Sequence, residues 1–124
     1  MTTIADIAAE YSRFTRELAD TDNAWTKCLT DLLNQPSGDT FVDGAMTHYV
    51  SYRDKFVAAR TDYYGIMQKL TDLVADLKKD GGVPFSVSRT KTKLLKFNSQ
   101  HRIEKHLDER VESIDRLLAI TREA

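Results

Sequence analysis

The chain holds one cysteine, Cys28, so it can close no disulfide within itself and build no cysteine zinc cage. Cys28 falls late in a helical pattern, away from a helix N-terminus, and reads as a packed thiol rather than a reactive one. Hydrophobic runs are short, too short to span a bilayer. The first ten residues carry neither a basic leader nor an apolar stretch of signal length, so a cytoplasmic protein is expected. Catalytic signatures are missing too. There is no Gly-x-Ser-x-Gly turn to present a nucleophile, and no phosphate-cradling glycine loop, since Gly81-Gly82 reads as a helix stop. No Glu-x-x-His pair occurs; His101 and His106 are five apart rather than three or four, and His48 stands alone. A non-enzyme with no metal and no cofactor is the expectation.

What is present is helix. At 124 residues the chain suits a single domain, 1–124, with one core. Its apolar share of 41% is too high for general disorder. Thr3-Ile-Ala-Asp6 has the form of a capping box. After it Ile4, Ile7, Tyr11, Phe14, Leu18, Thr21, Trp25, Cys28 and Leu32 alternate steps of three and four, the spacing of one helical stripe. Asn34-Gln-Pro-Ser-Gly38 ends that helix. Thr40-Phe-Val-Asp43 caps the next, where Val42, Ala45, Tyr49, Tyr52, Phe56, Ala59, Tyr63, Ile66, Leu70, Leu73 and Leu77 repeat the pattern. A helix of that length spans roughly 60 Å at 1.5 Å per residue. Met46, Val50, Val57, Tyr64, Met67 and Val74 widen its apolar arc, so it should touch two neighbours. Gly44, Ser51, Ala58 and Gly65 recur every seven residues on another side, either a close-packing row or solvent-facing small residues. Lys78-Lys-Asp-Gly-Gly82 closes the helix.

The third segment changes character. Ile103, Leu107, Val111, Ile114 and Leu118 share one face, but helical spacing carries that face back onto Gln100, Lys96, Lys93 and Arg89. Val87, Leu94 and Phe97 project elsewhere. The helix is therefore kinked or restarted near 98–100, or its first half packs in another register. Residues 83–88 read as an extended loop with Ser86 or Ser88 as cap. The expected fold is an elongated, all-α antiparallel bundle of three coiled-coil-like helices at about 3–34, 40–79 and 88–122.

Net charge is −1, unevenly spread. Residues 1–80 carry nine Lys/Arg and thirteen Asp/Glu, whereas residues 81–124 carry nine and six. No acidic residue lies between Gly81 and Ile103. Arg89, Lys91, Lys93, Lys96, Arg102 and Lys105 make the candidate site, for an acidic protein or for phosphates of nucleic acid or an acidic membrane. Val57, Tyr64 and Met67 make a second candidate, an apolar flank for a protein partner. The leading expectation is a scaffold module that binds a protein and self-associates, as a homodimer, to cover surplus apolar surface. Anion binding through 89–105 is the alternative. A small-molecule or enzymatic bundle is a third, needing a pocket between helices.

Overall fold

The computed structural model describes residues 2–35 and 39–123. Its helices are α1 Ile4–Leu33, α2 Asp39–Lys79, α3 Phe85–His101 and α4 Ile103–Glu123, with no strand among the described residues. α3 and α4 form one bent rod, so the chain is a bundle of three long helices, the third bent at residue 102.

α1 starts where its cap predicts. The Thr3 backbone N–H donates to Asp6 Oδ2 at 3.0 Å and the Asp6 N–H donates to Thr3 Oγ1 at 3.2 Å, completing the capping box. These bonds, led by the one from the Thr3 backbone, hold the Asp6 carboxyl below its ordinary range. Ile7, Tyr11, Phe14, Leu18, Trp25 and Leu32 are buried on the predicted stripe. Thr21 interrupts it at little cost, because its hydroxyl donates to Glu17 O at 2.9 Å. Pro36 and Gly38, the predicted stop, and the side chain of Thr40, the predicted cap of α2, lie outside the described residues.

α2 is the central rod, approached closely by both α1 and α4. Against α1 it sets aromatic pairs, Trp25 with Tyr52 at 5.2 Å and Phe14 with Tyr63 at 6.1 Å between ring centroids. Against α4 it sets polar ones: Arg53 with Asp115, Arg60 with Asp108, Tyr64 with Glu104. Every step along α2 is matched by an equal step backwards along α4, which defines an antiparallel register. A buried side chain of Leu or Phe size contributes about 2 kcal/mol, an exposed ion pair under about 1, so the core holds the bundle and the pairs align it. Gly44 and Gly65 are exposed with nothing within 4 Å of an added Cβ, and Ser51 and Ala58 are exposed as well. The small-residue row faces solvent.

α2 ends at Lys79. Gly81 and Gly82 take φ of +116° and +141°, open only to glycine without strain, and the Gly82 N–H returns to Leu77 O at 3.0 Å.

Two expectations about the third rod change. Residues 85–88 are not an extended loop capped by Ser86 or Ser88; the helix begins at Phe85, after Pro84. Proline presets the backbone for a helix start, and both the Val87 and Ser88 N–H groups reach Pro84 O at 3.1 Å. The early start also delivers Val87 to the core. The break comes at Arg102, just past the 98–100 window. Arg102 is left-handed, φ 47° and ψ 51°, with its N–H on Asn98 O. On an unbroken helix Ile103 would follow Lys93, Lys96 and Gln100 onto the solvent side. The left-handed step turns it inward, and Ile103, Leu107, Val111, Ile114 and Leu118 are all buried.

Candidate functional site

α3 is pinned to the bundle along one narrow line. Val87 is buried, Leu94 is half-buried against the core, and Asn98 bridges three helices. The Tyr11 hydroxyl of α1 donates to Asn98 Oδ1, and Asn98 Nδ2 donates to Met67 Sδ of α2 at 3.2 Å. Both ends of the Asn98 amide are thus engaged. Phe97 meets the Tyr11 ring edge-on at 5.9 Å and lies 4.1 Å from the His101 ring, tilted to it by 33°.

Opposite that line, Arg89, Lys93, Lys96 and Gln100 are exposed at steps of four, three and four, one outward stripe. Phe85, 79% exposed, stands at its start. The six predicted cations do not form one cluster. Arg89, Lys93 and Lys96 share the outward stripe, whereas Lys91 is half-buried and turned to a groove with α2. Arg102 gives its backbone to the bend and lines a trough beside α4. Lys105 lies beyond the bend, 3.8 Å from Glu109. Among the described residues, Arg89, Lys91, Lys93, Lys96 and Arg102 make no ion pair. Three acids of α4, Glu104, Asp108 and Asp115, turn to α2.

The flank of Val57, Tyr64 and Met67 sits on the α2–α4 seam. Val57 and Met67 are half-buried against the core, and Tyr64, 47% exposed, donates its hydroxyl to Glu104 Oε1 at 2.7 Å. That bond, ahead of any burial, raises the Tyr64 phenol.

Asp22 accepts from His106 Nε2 at 2.8 Å and Arg110 Nε at 3.0 Å, tying α1 to α4. Cys28 is half-buried rather than sealed, beside His48 and Tyr52, and burial pushes its thiol up, which suppresses the nucleophilic thiolate. No group of three or more His, Cys, Asp or Glu residues gathers to hold a metal among the described residues. No described helix is long and apolar enough to cross a membrane.

Three participants carried little sequence signal. Phe85 looked like loop, Asn98 like a point of discontinuity, and Leu95, 45% exposed, was masked by its neighbour Leu94. A Leu-Leu pair does carry a hint, because adjacent helical residues cannot both face one core line. No protein-family model, curated protein or solved structure matches the chain, so this surface is read from its own geometry.

Proposed function

We propose that this chain is a non-catalytic helical interaction module that docks an acidic surface of a protein partner on the outer face of α3. The supporting observation is the outward alignment of Arg89, Lys93 and Lys96 without an intramolecular carboxylate, on a helix that lacks acids altogether. Such a stripe steers an acidic partner and fixes its orientation, while most of the affinity comes from side chains packed beside it. Phe85 is the apolar anchor at hand.

The test places a photo-crosslinking residue at exposed Gln100 and compares the native stripe with R89E/K93E/K96E. A protein adduct formed by the native stripe, lost in the reversed variant and lost above ~0.5 M salt, where charges are screened within a few Å, is expected. Equal adducts from both proteins would overturn the reading.

A polyanion is the second reading, favoured by Phe85 beside the cations, where a ring can stack on a base or enter a headgroup layer. Salt-sensitive binding to nucleic acid or acidic vesicles, with no protein adduct, would select it. Self-association finds less support, because the α2 flank is half-buried in the bundle and the most exposed apolar side chains are divided, Leu33 and Ile120 toward one end of the rod and Phe85 at the other.

A further inference from the structure

α3 approaches α1 and α4 more closely than α2, and the space left between α2 and α3 is a groove of about 430 Å³. That volume falls within the range of small-molecule sites. Its apolar wall is Met67, Leu70, Val74 and Leu95, and its charged lining is cationic, Lys78 from α2 and Lys91 from α3. Lys91 is half-buried and meets no carboxylate among the described residues, so its charge has no counter-charge beside it there. An anion seated between the two ammonium groups would supply it.

The groove also has a direction. At the bend it runs into a wider trough that shares Met67 and Leu95, where the carboxylates of Glu104, Asp108, Glu109 and Glu112 outnumber the cations of Arg102 and Lys105. The trough is thus acidic on balance and the groove wholly cationic, so negative charge belongs at the Lys78–Lys91 end and apolar material toward the bend.

We propose that the α2–α3 groove binds a single-chain amphiphile with an anionic head, the head between Lys78 and Lys91 and the chain along Met67 and Leu95. A carboxylate or a phosphate head would serve equally as acceptor for two lysines. The site is separate from the outward stripe of Arg89, Lys93 and Lys96, so either can fail without the other.

The two internal methionines report on it. Met67 lines the groove, whereas Met46 packs on the same helix roughly 30 Å away at 1.5 Å per residue. The full chain, labelled at its methionine methyls, is titrated with dodecanoate below its micelle threshold and followed by NMR. A saturable shift of the Met67 methyl with Met46 unmoved is expected. K78Q/K91Q should weaken binding ~tenfold or more, and L95E, at a half-exposed position, should abolish it. Both variants are checked for helicity and cooperative unfolding. Dodecyl phosphate run in parallel assigns the head group, and a preference for either upholds the site. Four results would overturn it: no Met67 shift, equal shifts at both methyls, dodecanol binding as tightly as dodecanoate, or unchanged binding by K78Q/K91Q.

Discussion

Tyr11 and Asn98, far apart in sequence, form the polar joint between α1 and the bent third rod: the phenol donates to the amide oxygen while both are largely shielded from water. Tyr11→Phe leaves that oxygen without its donor. A loss of about 1 kcal/mol in urea unfolding is expected. Burial, more than any neighbour, pushes the Tyr11 phenol up to about 12.

The same burial gives the bundle an alkaline limit. In the unfolded chain the phenol ionises near 10, while in the bundle Tyr11 keeps its proton to about 12. Between these values the folded state binds more protons, so the contribution is full below pH 10 and is lost as pH rises toward 12. Tyr49 and Tyr63, raised chiefly by burial, act in the same direction. Urea midpoints measured across this window should fall with pH, and fall less steeply in Tyr11→Phe.

Positive φ separates two opposite substitutions. Arg102 sits at φ 47° with a Cβ that disfavours it, so Arg102→Gly should stabilise by about 0.5–1 kcal/mol. Gly82→Ala, forced to φ 141°, should destabilise by about 1 kcal/mol or more. Chemical denaturation of both variants checks the pair. A loss from Arg102→Gly would mean that its side chain, not its backbone, holds the bend.

Gly65 lies mid-helix with nothing near its missing Cβ. Gly65→Ala should therefore raise stability by about 0.5–1 kcal/mol, the helix preference for alanine. Steric loss of a binding activity in that variant would instead reveal the small-residue row as a docking surface.

Trp25, 1% exposed and wedged against Tyr49 and Tyr52, is the largest fully buried side chain. Trp25→Ala should cost about 3–5 kcal/mol by thermal or urea unfolding, several times the effect of cutting Asp22 from His106 and Arg110 by Asp22→Asn, about 1 kcal/mol.

The sequence shows helices one and two well because each keeps one apolar stripe over most of its length: the buried residues from Ile7 to Leu32 and from Ala45 to Leu70 lie on it, and only at the end of α2 does burial pass from the expected Leu73 and Leu77 to Val74. The third rod shows its conflict but not its solution. Periodicity detects that Ile103 and Lys96 cannot share an inward face, yet any residue from Asn98 to Arg102 could take the turn. The choice depends on Asn98 finding Tyr11 and Met67, contacts made by distant segments. The start at Phe85 was hidden because Ser86 and Ser88 resemble caps, whereas Pro84 does the work through its backbone. The candidate cations were visible as composition. Their division between outer stripe, groove and bend was not, since it follows from how α3 leans on α1.

The left-handed joint at Arg102 also separates the bundle into parts of unequal tenacity. α4 is locked by five buried side chains, while α3 buries only Val87. α3 can thus peel away about Arg102 at a fraction of the free energy of global unfolding, leaving α1, α2 and α4 in register. Its amides should exchange with solvent deuterium ahead of those of α4, so the face that carries the free cations is also the part of the molecule most readily reshaped by what it meets.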